Sequence, residues 1–307
     1  MLASKLSPGD AIGVVSPSTP VDPGSQQLAN GVRFLEGLGF KVVLGPHVFS
    51  NSLGYAASPT DKTADLMHMF GDPAIKAIIC SQGGDTANAC LPYLDWQVIR
   101  NNPKIFLGIS DITVLLNAIY AKTGLVTFHG NDVMWGFGRY PTAYDRQEFL
   151  DRLVECKIGQ VLAAGPRKAM RSGRGEGRLL GGNLRCLLKL AGTPYFPDFD
   201  GAILFIESLG FEPGTCDYMF RQLQQMGLFD QIQGVLIGYI DGVDNLPDAP
   251  LHMEDVLLKV TGDYRFPILK TNDFGHNCSN TTLPVGAQVR MDADEGEIEI
   301  VKECLNH

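Results

Sequence analysis

Apolar and polar residues alternate in blocks over the first 130 residues of the chain. Short apolar runs typical of buried strands are each followed by a stretch with apolar residues at helical spacing. The pattern predicts strands over 10–16, 40–44, 75–80 and 104–108 and helices over 25–38, 60–70 and 109–120. Thr60 is the expected N-cap of the second helix. Such alternation favours a parallel sheet covered by helices, in which ligands bind beyond the carboxyl ends of the strands.

The second half mixes helices with a larger share of strands. Residues 131–177 show a looser pattern that includes the basic, glycine-rich run 165–178. We therefore predict an α/β protein with an N-terminal domain over 1–150, a linker over 151–178 and a smaller mixed α/β domain over 179–307. A solvated surface loop is the alternative for the linker. The predicted elements of the second domain are helices over 183–190, 217–226 and 253–260 and strands over 202–206, 234–240, 268–271, 288–291 and 297–301.

Composition restricts the class of protein. The chain has 307 residues, of which 45% are hydrophobic and 19% charged, an ordinary globular balance. Its net charge of −9 argues against nucleic acid or an anionic membrane as the main partner. No apolar run reaches the roughly 18 residues that span a bilayer, and the N-terminus is predicted to be a strand, not a signal peptide. Seven scattered cysteines without a C-x-x-C pair indicate reduced thiols and a cytoplasmic enzyme.

The sharpest local feature is the segment 108–113, GISDIT, between a predicted strand and a predicted helix. A serine on such a turn projects its hydroxyl above the sheet, beside backbone N–H groups that can stabilise an oxyanion. Ser110 is therefore a candidate nucleophile. Ile112 stands where the G-x-S-x-G motif has its second glycine. Ser110 is thus equally well explained as a helix N-cap, with Asp111 favouring the positive end of the helix.

A serine nucleophile needs a base and a group that orients the base. Among six histidines, His276 lies in a glycine-flanked loop after a predicted strand, where it suits either a site or a backbone hydrogen bond. Glu207 ends the apolar run 202–206, and a carboxylate there is costly to bury unless it is paired. A side chain that reaches solvent is the alternative for Glu207. His129 follows a short strand in the sequence TFHG. Weaker candidates for the acid are Asp198, Asp200 and Asp273.

Two glycine pairs follow or precede predicted elements. Gly83 and Gly84 follow the strand 75–80, where the lack of a Cβ lets the backbone approach a ligand. Gly181, Gly182 and Asn183 open a predicted helix, where they can bind an anion or cap the helix. Neither phosphate-loop pattern is present, and no histidines or cysteines stand at metal-ligand spacing. The sequence therefore predicts no metal or organic cofactor.

In combination, these segments resemble the LD-carboxypeptidase family of serine peptidases, which also contains the microcin C self-immunity peptidases. The G-x-S-D element and the late F-G-H followed by T-L-P-x-G are specific together. The similarity runs nearly from end to end, in the segments PGDAIGVVSPS, IKAIICSQGGDTAN, PKIFLGISDITVLLNAI, GEGRLLGGNL, AGTPYFPD, GAILFIES and DFGHNCSNTTLPVGAQVRMD.

The resemblance implies a flavodoxin-like N-terminal domain, a mixed C-terminal domain, a site in the cleft between them and a homodimer. It places the family's catalytic triad on Ser110, Glu207 and His276. It places the oxyanion donors on the backbone N–H groups of Gly84 and Asp111. Candidate substrate-binding residues, chosen from their positions alone, are Gly83, Asn183, Arg178 and Lys270.

The substrate implied by the resemblance is a small peptide or muropeptide, from which the enzyme releases a terminal D-alanine. The alternative is an amide bond in a microcin C-like peptide–adenylate, for which Trp135 or Tyr140 would offer a stacking surface. The segment 80–85 lacks the Arg and Tyr of the first branch, and the loop before 181–184 lacks the tryptophan of the second. A non-catalytic ligand-binding protein is the alternative from another class.

Overall fold

Two large β-sheets and a two-stranded sheet, which joins Ala3–Ser4 to Leu305–Asn306, organise the chain in a computed structural model, which describes residues 1–210, 212–246 and 248–307. The strands are β1 (Ala3–Ser4), β2 (Ala11–Val15), β3 (Lys41–Leu44), β4 (Ile75–Cys80), β5 (Ile105–Gly108), β6 (Thr127–His129), β7 (Gly159–Gln160), β8 (Lys168–Arg171), β9 (Arg174–Asn183), β10 (Ala202–Leu209), β11 (Gly234–Asp241), β12 (Ile268–Gly275), β13 (Leu283–Val285), β14 (Gln288–Asp292), β15 (Glu297–Ile300) and β16 (Leu305–Asn306). The α-helices are α1 (Gln26–Gly37), α2 (Pro59–Gly71), α3 (Trp96–Asn101), α4 (Thr113–Thr123), α5 (Ala143–Leu153), α6 (Leu184–Leu188), α7 (Pro213–Gln225) and α8 (Met253–Val260).

The first sheet has the strand order β3-β2-β4-β5-β6-β13. Strands β2 to β6 run parallel, and their order is that of flavodoxin-like sheets, so the predicted fold class is confirmed. The central strands β4 and β5 are almost wholly apolar and buried, as expected of strands covered by helices on both faces. The edge strand β13 comes from the C-terminal part and pairs antiparallel with β6.

The second sheet is mixed and has the order β7-β15-β14-β9-β10-β11-β12-β8. Strands β9 to β12 are parallel, and the remaining pairs are antiparallel. In β10 the first seven residues are buried, and Glu207 is among them. This sheet therefore carries the carboxylate that the sequence singled out, inside its core and close to a strand end.

The stretch 151–178, predicted as a linker, contributes strands to the second sheet. It contains β7, β8 and the first residues of β9. β7 and β8 are the two edge strands, and their residues are exposed or half-buried. Edge strands need no continuous apolar face, which explains why the sequence pattern was loose here. The domain boundaries at 150 and 179 remain a prediction.

A buried joint fixes helix α4 of the first sheet against the end of β9 in the second. The amide of Asn117 donates to Gly181 O (2.8 Å) and accepts from Gly181 N (3.3 Å). The backbone N–H of Asn183 donates to Thr113 Oγ1 at 2.9 Å. A Cβ on Gly182 would come within 2.4 Å of the same oxygen, so only glycine allows this approach. The joint holds the segment after β5 beside β9 and its neighbour β10.

Each helix in the described ranges is too short or too polar to cross a bilayer. All seven cysteines are free thiols, and five of them are buried. Burial raises the pKa of the Cys216 thiol to about 11 and that of Cys304 to about 12, so both are protonated and unreactive near neutral pH. The five buried thiols therefore serve as small apolar side chains, whereas Cys278 lines the cleft described below.

Candidate active site

A cleft of about 620 Å³ opens beyond the carboxyl ends of β4 and β5, where a sheet of this order binds its ligand. Its walls come from the loops after β4, β5 and β6 and from the loop after β12. The lining residues are Thr19, 82–84, 109–110, 131–132, 135–136, 139–142, Asp145, Leu209 and 275–280. Gly83, Gly84, Ser110 and His276 of the predicted site thus share one cleft.

Ser110 has a strained backbone. Its φ is +64°, a region that costs a non-glycine residue about 1–3 kcal/mol and that clusters at functional sites. Ser110 opens a 3-10 turn, Ser110–Ile112, directly before α4, and Ile112 is the N-cap of α4. The side chain of Ser110 caps neither helix, so the interpretation of this serine as a helix N-cap is wrong. The hydroxyl lines the cleft instead.

Asp111 is completely buried and ties three segments together. Its Oδ2 accepts from Ser18 Oγ (2.6 Å) and from the backbone N–H of Ala87 (2.7 Å), and Lys189 Nζ lies 2.5 Å from Oδ1. The carboxylate is therefore a structural anchor behind the serine turn. The backbone N–H groups of Asp111 and Gly84 donate to no protein acceptor within the described residues. Gly84 lines the cleft, so its N–H is open to a ligand.

The two glycines after β4 lie too close to neighbouring loops to carry a side chain. A Cβ on Gly83 would lie 2.6 Å from Cβ and 2.8 Å from Oγ of Ser110. A Cβ on Gly84, whose φ is +140°, would lie 2.0 Å from Thr19 Oγ1. Gly83 can lie against Ser110, and Gly84 against Thr19, only because neither residue has a side chain.

Glu207 and His276 form a buried pair, of which His276 lines the cleft and Glu207 lies behind it. Nδ1 of His276 lies 2.5 Å from Oε2 of Glu207, and the Glu207 side chain is fully buried, so the solvent-exposed interpretation of this residue is wrong. Burial alone would lower the pKa of His276, but the Glu207 carboxylate outweighs it and raises the pKa above its usual value. The imidazole in turn outweighs burial at Glu207 and holds that pKa below its usual value. The pair therefore consists of an oriented imidazole and a charged acid.

Buried hydrogen bonds fix the loop that carries His276. Gly275 takes a φ of +140° and donates its N–H to Asn280 Oδ1 at 2.9 Å. The N–H of Asn280 donates to Asp145 Oδ1 at 2.7 Å, and Asp145 is part of the capping box of α5. The histidine thus projects from a turn held by buried hydrogen bonds, which restricts its ring to one orientation.

Comparison with known proteins assigns the family. The family model described as the LD-carboxypeptidase N-terminal domain matches residues 12–130, and the one for the C-terminal domain matches residues 176–291. The chain belongs to the LD-carboxypeptidase family.

Relatives of this family member carry two kinds of name. This chain is 35% identical over 295 residues to the probable murein peptide carboxypeptidase of Bacillus subtilis (strain 168), covering 94% of this chain and 91% of that protein. It is 30% identical over 337 residues to the microcin C7 self-immunity protein MccF of Escherichia coli, covering 100% and 97%. The structure of MccF in complex with aspartyl sulfamoyl adenosine superposes with a TM-score of 0.90 at 30% identity, over 100% of both chains.

Three further side chains line the cleft of this LD-carboxypeptidase family member. Asp132 accepts from the backbone N–H groups of Trp135 (2.6 Å) and Gly136 (3.0 Å), and burial raises its pKa to about 6. Trp135 is half exposed and donates from Nε1 to Gln82 at 2.9 Å. Arg139 Nη1 donates to Oδ1 of Asn277 at 3.1 Å. Sequence reasoning missed Asp132 and Arg139, although both follow the short strand that ends at TFH, where a ligand-binding edge is expected.

Three candidate substrate-binding residues lie outside the lining of the cleft. Arg178 donates to the carbonyl of Asp200 at 2.6 Å on the outer part of β9. Lys270 is buried and donates to Gly238 O and to Asp244 Oδ2, both at 2.5 Å. Asn183 is the N-cap of α6 and pairs with Glu207 across β9 and β10. Of the four, Gly83 alone reaches the cleft.

A group of possible metal ligands lies away from the cleft, although the sequence spacing did not indicate one. Asp244, His252 and Glu254 each offer a ligand atom within 4.8 Å of the others. The ammonium of Lys270 already neutralises Asp244. Oε2 of Glu254, by contrast, is buried and has no hydrogen-bond partner within the described residues.

Proposed function

We propose that the chain is a serine carboxypeptidase in which Ser110, His276 and Glu207 form the catalytic triad. The observation that carries the proposal is the buried Glu207–His276 pair, 2.5 Å apart, at the cleft that a strained serine also lines. A buried carboxylate that orients an imidazole toward a serine is the arrangement that activates a hydroxyl for acyl transfer. The family assignment favours the same chemistry.

In this proposal Ser110 Oγ attacks the scissile carbonyl carbon while Nε2 of His276 takes the hydroxyl proton. The backbone N–H groups of Gly84 and Asp111 bind the oxyanion that forms. Collapse of the intermediate expels the amine, which receives the proton from His276, and leaves an acyl ester on Ser110. Water then attacks the ester, with His276 again acting as base, and releases the acid. Glu207 remains ionised and holds the imidazolium.

We propose a peptide with a free carboxylate as substrate, and Arg139 as the residue that binds this carboxylate. Of the cleft side chains in the described ranges, Arg139 is the one lysine or arginine, and an arginine fork matches a carboxylate bidentately. Arg139 donates a hydrogen bond to Asn277, the residue that follows His276. In the proposed mechanism the leaving amine takes its proton from His276. The anchor therefore lies on the leaving-group side. Murein tetrapeptide, which ends in D-alanine, has the required chemistry.

The test is release of D-alanine from a murein tetrapeptide by the purified protein. We expect turnover by the wild type and none by Ser110→Ala. The same peptide with a C-terminal carboxamide should be a poor substrate, because it removes the negative charge. Equal turnover of acid and amide would refute the carboxylate anchor. A lack of turnover on every amide substrate would favour the non-catalytic alternative.

A second candidate substrate is a peptide–adenylate, favoured by Trp135. Half of this side chain is exposed within the cleft wall, and its indole N–H is held by Gln82, so its face is fixed. Such a face can stack on a nucleobase. Cleavage of an aminoacyl sulfamoyl adenosine, with a loss of affinity in Trp135→Leu, would support it. If Trp135→Leu binds the adenylate like the wild type, this second function fails.

The cytoplasmic location and the homodimer remain part of the proposal. The free, mostly buried cysteines suit a reducing compartment. Light scattering of the purified chain gives the molecular mass in solution. A mass near 33.4 kDa, that of one chain, would refute the dimer.

A further inference from the structure

Three buried polar atoms next to the proposed triad have no hydrogen-bond partner. They are Oε1 of Glu207, the oxygen not bonded to His276, and both ring nitrogens of His129. The side chain of Asn183 lies near enough to help lower the pKa of Glu207, but it makes no hydrogen bond of normal geometry to Oε1. Glu207 and His129 are both completely buried. Buried polar atoms in proteins are almost always hydrogen-bonded, because an unpartnered one costs free energy comparable to a lost hydrogen bond. Orphaned donor and acceptor groups in one neighbourhood therefore point to a link between them.

The ring of His129 is near enough to Glu207 and His276 for both to affect its pKa. It packs edge-on against Phe205 (centroids 5.2 Å apart) and Phe274 (6.2 Å apart). Phe205 precedes Glu207 by two residues in β10, so both side chains project from the same face of the strand. Phe274 precedes His276 by two residues. His129 thus contacts one residue of β10, the strand that carries Glu207, and one residue of β12, the strand that leads to His276.

His129 is also close to the serine turn. It is the last residue of β6 and pairs with Gly108 of β5, two residues before Ser110. Burial lowers its pKa to about 4, against the opposing effect of the nearby Glu207 carboxylate. The ring is therefore neutral at physiological pH and carries one N–H donor.

We propose that His129 is a positioning residue that donates its N–H, through one buried water molecule, to Oε1 of Glu207. Both carboxylate oxygens are then held, one by His276 and the other by the chain to His129. The carboxylate cannot rotate, and the imidazole of His276 stays aligned. This inference rests on the proposed catalytic role of Glu207. It assigns a function to the histidine of TFHG, which touches no substrate.

His129→Phe and His129→Gln separate positioning from packing. Phe keeps an aromatic ring but removes the donor, whereas Gln retains an N–H donor. We expect His129→Phe to lower kcat about 10- to 100-fold with KM within about twofold. We expect the acid limb of kcat/KM to move to higher pH, because a carboxylate without its second donor binds the His276 proton more tightly. His129→Gln should recover most of the activity and the wild-type profile.

Phe128→Leu is the matched control. Phe128 is the neighbour of His129 in β6 and is equally buried, but alternation along the strand turns it to the other face. This variant should lose stability without changing the pH profile. A folded His129→Phe variant with wild-type kcat and profile would overturn the proposal. So would an unmoved or lowered acid limb, or a Gln variant as impaired as Phe.

Nuclear magnetic resonance of ¹⁵N-histidine-labelled protein tests the link between His129 and Glu207. It requires neither enzymatic activity nor a folded His129→Phe variant. In the wild type, His129 should show a neutral ring with a slowly exchanging N–H between pH 5 and 8. Glu207→Gln should shift that proton signal. A ring that titrates near its usual value of about 6.5, or a signal indifferent to Glu207→Gln, would refute the link. These spectra test the link between His129 and Glu207 even if the protein turns over no substrate. A failure of this proposal can therefore be distinguished from a failure of the proposed function.

Discussion

Gly83→Ala perturbs the proposed nucleophile without changing any polar group. The new Cβ would lie 2.6 Å from Cβ of Ser110, whereas carbon atoms in contact prefer about 3.5–4.0 Å. One of the two segments must therefore move by about 1 Å. A rotamer change cannot relieve the contact, because Cβ of Ser110 is fixed by a backbone already at a φ of +64°.

A displacement of about 1 Å at a reacting atom can lower the rate about 100-fold, equivalent to about 2.7 kcal/mol of activation free energy. We expect this loss in kcat, measured as D-alanine release under saturating substrate. The φ of Gly83 is not in the left-handed region, so alanine suits its backbone and the strain is local to the contact. Circular dichroism and the melting temperature should show a folded protein.

Gly71→Ala is the matched control for Gly83→Ala. Gly71 ends α2, has no atom within 4 Å of a built Cβ and has an ordinary φ. The exchange should leave kcat unchanged and stabilise the protein by up to about 1 kcal/mol. A folded Gly83→Ala variant with wild-type kcat would refute the reasoning, because the position of the Ser110 hydroxyl would then be irrelevant to the reaction.

Four further predictions follow from the site. Ser110→Gly should abolish turnover while raising stability by about 1 kcal/mol in denaturant titrations, because it relieves the positive φ; unchanged stability would contradict the strain. The kcat/KM profile should fall below an apparent pKa higher than about 6.5, because the raised pKa keeps His276 protonated to higher pH; a midpoint below 6 would contradict this. Arg139→Ala should raise KM at least about 10-fold for the acid but not for the carboxamide, while the exposed Arg146→Ala changes neither; an equal effect on both substrates would exclude a carboxylate contact. Asp111→Asn should lower the free energy of unfolding by about 3 kcal/mol, because it removes one partner of a buried ion pair; a loss below 0.5 kcal/mol would show that the carboxylate anchors nothing.

The sequence predicted the first sheet well because its strands are buried on both faces. The strand predicted over 75–80 coincides with β4, and that over 10–16 differs from β2 by one residue at each end. Continuous apolar runs between turn residues leave few alternatives for such segments. Helix starts were less certain: Ser58 and not Thr60 caps α2, because the proline at position 59 begins the helix.

What the sequence could not predict depends on tertiary contacts. Arg139 stands in no recognisable pattern, and its place in the cleft follows from the turn after the π-helix Val133–Phe137. Arg178 and Lys270 were chosen from their positions in the chain alone, and their partners are carbonyls and a carboxylate outside the cleft. A cation in a sequence does not reveal which acceptor is nearest in the fold.

The distribution of rigid and exposed contacts indicates how the cleft distinguishes ligands. Asn117 and Thr113 tie the serine turn to the second sheet through fully buried hydrogen bonds, which resist relative motion of the two halves. The rim differs, because Trp135 and Arg139 are exposed and are each held by one side-chain hydrogen bond, to Gln82 and Asn277. Such bonds contribute only about 1 kcal/mol and exchange readily with those of a ligand. The rim of this cleft can therefore adapt to a ligand while the buried hydrogen bonds keep the serine turn in place.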